Sequence, residues 1–189
     1  NLVDAEKIYR DLINQGTRNH ISYGNLAVIC GEKGNSEDMI KLLRKSIEIE
    51  PRYEQAYNNL GIALREKNQL NTSIKLFEKA IELKSNYADA YINLGIVMYQ
   101  KKNINYAIKL YKKALKIEPL NLKAINNLAV IYEHQNNLES AIGYYRKALK
   151  IFPNSSEINT NLANTLLKNG EIDESIILYK KSINIDPNK

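Results

Sequence analysis

A shift of 34 residues superimposes the sequence on itself without a gap, and this period constrains the chain more than any local propensity. Five whole units span residues 20–53, 54–87, 88–121, 122–155 and 156–189, while residues 1–19 match only the second half of a sixth. With positions numbered from one inside a unit, position four holds Tyr23, Tyr57, Tyr91, Ile125 and Asn159, and position seven is always Leu: Leu26, Leu60, Leu94, Leu128 and Leu162. Position eight is small (Ala27, Gly61, Gly95, Ala129, Ala163), and position eleven holds Cys30, Leu64, Met98, Tyr132 and Leu166. Four, seven, eight and eleven make one face of a helix.

A second helix carries Tyr9, Leu43, Phe77, Tyr111, Tyr145 and Tyr179 at position twenty-four, between small residues at twenty and twenty-seven such as Ala107 and Ala114. The small positions let two antiparallel helices approach closely, and the Leu at seven and the aromatic at twenty-four fill the space between them. Met39 and Leu12 are oversized exceptions. The pairs Gly34-Asn35, Asn68-Gln69, Lys102-Asn103, Asn136-Asn137 and Gly170-Glu171 separate the helices, since Gly and Asn accept the left-handed conformation that ends one; Lys102 departs from that chemistry. Pro51, Pro119, Pro153 and Pro187 all fall at position thirty-two, where they stop the second helix. The expected fold class is all-α: an α-solenoid of antiparallel helix pairs, as one domain over residues 1–189.

These positions resemble the tetratricopeptide repeat (TPR) family, with its aromatic at four, Leu-Gly or Leu-Ala at seven and eight, small residues at twenty and twenty-seven and Pro at thirty-two. The resemblance covers the whole chain, including what resemble bacterial TPR arrays. It implies a right-handed superhelix whose first helices line a concave surface, and a protein that binds partners rather than catalyses.

At about 100° per residue, positions two, six, nine and thirteen lie opposite the buried face of the first helix. Position six is Asn in every unit: Asn25, Asn59, Asn93, Asn127 and Asn161. An amide both donates and accepts, so a file of them pairs with the main chain of an extended peptide whatever its sequence. With first helices roughly 10 Å apart and a peptide rising roughly 3.3 Å per residue, five units would span about fifteen peptide residues. The file resembles that of the TPR superhelix of O-GlcNAc transferase, which implies extended protein substrates. The other reading is that each Asn bonds to the neighbouring helix and belongs to the repeat. Position nine adds Val28, Ile62, Ile96 and Val130, then Asn164, either as an apolar stripe for the peptide or as packing between units. Asn58 and Asn126 at position five widen the polar file, with Arg65 and Tyr99 at twelve beside it. Position thirteen runs Glu32, Glu66, Gln100, His134, Lys168, an acidic-to-basic order that suits a partner of mixed charge.

Other function classes find little support. The net charge of +6 is concentrated in residues 88–121, on Lys101, Lys102, Lys109, Lys112, Lys113 and Lys116, all outside the groove positions. Within the groove, Arg65, Lys123 and Lys168 face Glu32, Glu66, Asp89, Glu133 and Glu157, a balance that repels a phosphate backbone; no nucleic acid is expected. No apolar run approaches a membrane span, so no membrane partner is expected. One Cys and two His offer neither a disulfide framework nor a metal set, no cofactor motif is legible, and the single thiol points to a reducing, cytoplasmic setting. No base and nucleophile converge, so the chain reads as not an enzyme.

The start at Asn1-Leu-Val-Asp4, inside a repeat, suggests a piece of a longer protein. The expected function is a protein interaction scaffold that binds an extended peptide or protein segment in its concave groove. The alternative is a substrate-docking arm of a larger modifying enzyme, such as a glycosyltransferase-like or sulfotransferase protein. Ile176, Tyr179 and Ile183, with the orphan first helix, are expected to leave apolar surface exposed and to permit end-to-end self-association through uncapped terminal repeats.

Overall fold

The spacing of apolar positions yields eleven helices among the described residues of this computed structural model, which are residues 2–187. They are α1 (Leu2–Asn14), α2 (His20–Glu32), α3 (Ser36–Ile49), α4 (Glu54–Glu66), α5 (Leu70–Leu83), α6 (Ala88–Gln100), α7 (Ile104–Ile117), α8 (Leu122–His134), α9 (Leu138–Ile151), α10 (Ser156–Lys168) and α11 (Ile172–Ile185). No strand occurs among these residues, and the architecture is an all-α solenoid of antiparallel helix pairs. Two compact units divide after Lys102, α1–α6 in the first and α7–α11 in the second.

In the first unit α2 pairs with α3 and α4 with α5, while α3 packs on α4 and α5 on α6. Ala27, Leu43, Ala56, Leu60 and Leu64 form one continuous core there. The approach is close at Gly61, where an added Cβ would lie 2.6 Å from Phe77 Cε1. Phe77 is fully buried, so its ring occupies the volume that a side chain at position eight would need. The oversized Met39 is accommodated in the same way: Gly31 leaves room for its sulfur, which an added Cβ would meet at 2.7 Å. In the second unit α8 pairs with α9 and α10 with α11 around Ile125, Ala129, Tyr145, Ile158, Leu162 and Leu166. Each fully buried Leu of this kind contributes about 1.5–3 kcal/mol.

Polar side chains fix the joints. The position-four tyrosines donate to the turn that precedes their own helix: Tyr23 to the Thr17 carbonyl at 3.3 Å, Tyr57 to Pro51 at 3.1 Å and Tyr91 to Ser85 at 3.2 Å. Ser46 Oγ reaches the His20 carbonyl at 2.7 Å, and Ser182 Oγ reaches that of Ser156 at 3.0 Å, so a small residue at twenty-seven both admits the first helix and bonds to it. Asn35, Asn103 and Asn137 accept from backbone N–H groups of α3, α7 and α9, capping helices whose first-turn donors lack intrahelical partners. The residue before each cap is left-handed: Gly34, Asn68, Asn136, Gly170 and also Lys102, at φ 61°. Lys102 takes this conformation despite its β-carbon because the chain must turn there between α6 and the Asn103 cap.

Two helical glycines are expected to respond with opposite sign. Gly61→Val forces a buried ring aside and costs about 1–3 kcal/mol, whereas Gly143→Ala, where an added Cβ meets nothing within 4 Å, stabilises by about 1 kcal/mol. Urea midpoints at constant slope read both. In the same assay Lys102→Gly is expected to raise stability by about 0.5–1 kcal/mol, because relief of the left-handed strain exceeds the added chain entropy.

Candidate functional site

With Leu at seven turned inward, Asn at six emerges at the margin of each first helix, and all five asparagines are half-buried. None is sealed in the core. Their hydrogen bonds differ between the two units.

In the first unit the amides are largely used within the protein. Asn25 Nδ2 donates to the Tyr9 hydroxyl at 2.8 Å, tying α2 to α1. Asn93 Nδ2 donates to Asn58 Oδ1 at 2.9 Å, and Asn58 Nδ2 donates to Asn59 Oδ1 at 3.5 Å, a chain that joins α6 to α4. Asn58 is only 4% exposed, so position five lies behind the file rather than beside it. Ile92, its counterpart one unit on, is buried as well. Burial pushes the Tyr87 phenol, beside Asn58, up to about 12, which keeps it neutral in this seam. Asn59 Nδ2 has no acceptor among the described residues.

In the second unit, Asn127 and Asn161 make no side-chain hydrogen bond among the described residues. Asn126 Oδ1 is buried and also lacks a partner. Asn126, Asn127 and Asn161 stand two units after Asn58, Asn59 and Asn93, yet the bond that closes the earlier trio is not made in the later one. The same residue types are closed in one place and open in the other.

Position nine is partly wet. Val28 is 39% exposed, Ile62, Ile96 and Val130 are half-buried, and Asn164 is exposed with its Oδ1 accepting from the Tyr179 hydroxyl at 2.5 Å. Arg65 is half-buried and lies 3.9 Å from Glu66, Tyr99 is half-buried, and His134 is exposed. Lys168 is committed to Glu133 at 2.5 Å, so its charge is largely neutralised within α8 and α10. Glu133 also accepts weakly from Tyr145 Oη at 3.5 Å, and burial is the first cause pushing that phenol up. The Tyr9–Asn25, Tyr179–Asn164 and Lys168–Glu133 bonds pair residues 16, 15 and 35 apart in the chain, distances that helical periodicity alone does not expose.

Cys30 is buried, and burial raises its thiol pKa, which suppresses the nucleophilic thiolate. Among the described residues no three His, Cys, Asp or Glu side chains are grouped to hold a metal, and no helix is long and apolar enough to cross a membrane.

The chain's relationships accord with this architecture. Residues 31–159 match the family described as the cytochrome c-type biogenesis protein H TPR domain, and residues 144–177 match a tetratricopeptide repeat family. A comparison with curated proteins gives no match. Among solved structures, MamA from Desulfovibrio magneticus RS-1 is 19% identical, with 98% of this chain and 97% of that one covered and a TM-score of 0.74. PilF of Pseudomonas aeruginosa is 21% identical over 88% and 76% of the two chains, with a TM-score of 0.82. YrrB, described as a TPR protein with an unusual peptide-binding site, is 18% identical over 95% and 93%, with a TM-score of 0.68. Such likenesses show the fold alone, whereas the family match spans more than half of the sequence: the chain belongs to the tetratricopeptide repeat family, as a relative of the cytochrome c-type biogenesis protein H TPR domain.

Proposed function

We propose that this protein-interaction scaffold holds an extended segment of another protein along the faces of its first helices. The observation that carries the reading is the unspent amide hydrogens of Asn59, Asn127 and Asn161, half-exposed groups that can donate to peptide carbonyls while their oxygens accept from peptide N–H groups. Half-buried Ile62 and Ile96 in the first unit, and Val130 in the second, stand on the same helix faces and offer apolar contact to peptide side chains. The peptide-binding site named for YrrB, a protein of the same fold, supports the same use of this architecture. Both a free-standing adaptor and a docking arm of a modifying enzyme rely on such a face.

A peptide-array screen with the triple variant Asn59→Ala, Asn127→Ala and Asn161→Ala tests it. Each hydrogen bond is worth about 0.5–1.5 kcal/mol net, so the triple change is expected to weaken binding tenfold or more. The helical melting curve is expected to stay within a few degrees of the parent, because these amide hydrogens bond to nothing among the described residues and the one bond lost, from Asn58 Nδ2 to Asn59 Oδ1, is long at 3.5 Å. Unchanged affinity in a folded triple variant contradicts the reading.

A further inference from the structure

Charge is distributed unevenly over the second helices. In α3 and α5 the Lys at position twenty-six is neutralised one turn on by the Glu at twenty-nine, Lys45 by Glu48 and Lys79 by Glu82, each at 2.7 Å. In α7 and α9 position twenty-nine is Lys instead, so positions twenty-five, twenty-six and twenty-nine hold Lys112, Lys113 and Lys116, then Arg146, Lys147 and Lys150. Lys109 extends the first set, and the spacing 109, 112, 113, 116 is one helical face, opposite the buried Ala107, Leu110, Tyr111 and Ala114. Residues 104–121 hold no acid but Glu118, and residues 138–155 none but Glu139. Lys109, Lys116, Lys147 and Lys150 are exposed and join no ion pair among the described residues. The helix dipole favours one cation in each last turn, but three on one face repel one another. This exposure belongs to the interior of the array, since α8 packs on α7 and α10 on α9.

Apolar side chains stand at the same helix ends. Leu120, in the turn after α7, is 61% exposed, and Phe152, the residue that follows α9, is 43% exposed. Their counterparts in the first unit are polar: Arg52 and Asn86 for Leu120, Glu50 and Lys84 for Phe152. Lysines beside protruding apolar residues match a surface of anionic phospholipids, whose diffuse negative potential attracts point charges and whose acyl boundary accepts apolar side chains. A nucleic-acid backbone is gripped better by the bidentate fork of Arg, and Arg146, the single Arg of the second unit, is engaged by Glu171 at 3.6 Å and Glu174 at 2.8 Å.

We propose that the exposed face of α7 and α9 docks on an anionic phospholipid surface, with Lys109, Lys116, Lys147 and Lys150 over the headgroups and Leu120 and Phe152 at the acyl boundary. The lack of a spanning run, from which no membrane partner is expected, bears on insertion and not on such peripheral contact. The contact uses second helices, so it is independent of whether the first helices hold a peptide.

Co-sedimentation of the whole chain with vesicles tests the proposal. Partition into mixed phosphatidylcholine and phosphatidylserine vesicles is expected to be about tenfold or more above that into phosphatidylcholine alone, and to fall steeply with added salt. Lys116→Glu with Lys150→Glu is expected to weaken anionic-vesicle partition about tenfold or more. Both sites are exposed and the new acids copy the spacing of the Lys45–Glu48 pair, so folding is retained. Leu120→Ser with Phe152→Ser is expected to weaken the same partition about fivefold and to leave retention on poly-glutamate or duplex DNA unchanged. Equal partition into the two vesicle types, or unchanged partition of the lysine variant, overturns the proposal. So does a lysine effect of the same size on poly-glutamate or DNA when the Leu120 and Phe152 changes leave vesicle partition intact, which assigns the face to a polyanionic macromolecule. The triple variant Asn59→Ala, Asn127→Ala and Asn161→Ala is expected to partition as the parent does. Loss of vesicle binding in that variant places the contact on the first helices and also overturns the proposal, whatever the peptide array gives.

Discussion

The close approach of the two helices in each hairpin governs everything else in this protein. It depends on what position eight lacks. At Gly61 a β-carbon would intrude to 2.6 Å from the Phe77 ring, and the equivalent Ala27, Ala129 and Ala163 are fully buried. Because Leu43, Phe77 and Tyr145 at twenty-four then fill the volume that the small residue vacates, the inner faces of the α2–α3, α4–α5 and α8–α9 hairpins close to interior-like density. The asparagines at six are left half-buried at the margin of that face, and the residues at thirteen are exposed. A chain built in this way has its exposed face decided by its packing face.

That flank is not uniform, although its sequence is nearly so. An amide that finds a neighbour rigidifies the array, and one that finds none remains available to a guest. Asn93 finds Asn58, and Asn25 finds the Tyr9 hydroxyl, so these two amides tie adjacent helices together. Asn127 and Asn161 find none among the described residues, and Asn126 Oδ1 is left buried and unpaired beside them. A buried acceptor without a donor carries a desolvation cost of about 1–3 kcal/mol, a reserve that binding can recover by reordering the amides around it. One residue type is thus used unequally along a regular repeat.

Much of the fold was legible in the sequence because period, helix stops and small-residue positions are one-dimensional signals. The 34-residue spacing put Leu60 and Leu128 in the core, and Gly34 and Asn136 at left-handed turns. Lys102 was recognised as an exception by its chemistry, and the structure shows that the turn imposes its conformation regardless. The hydroxyl bonds of Tyr23, Tyr57 and Tyr91 to the preceding turn were not legible, because position four reads as packing until the six-residue reach back to a carbonyl is seen. Nor was the accommodation of Met39 by Gly31, which relies on a contact between two helices. The candidate face was legible as a file of amides. Which of them bond within the protein depends on atoms in adjacent helices, and five identical letters carry no trace of that difference.

On the proposed reading, a scaffold whose first helices carry unspent amides holds a main chain first and side chains second. Side-chain amide NMR tests that order most directly. With the Asn Nδ2 resonances assigned by single substitutions, saturation with a peptide selected from the array is expected to shift the signals of Asn127 and Asn161 and to leave the backbone signals of the second helices α3, α5 and α9 in place. Shifts confined to those second helices, with the Asn127 and Asn161 amides unmoved, would contradict a ligand held on the first-helix face.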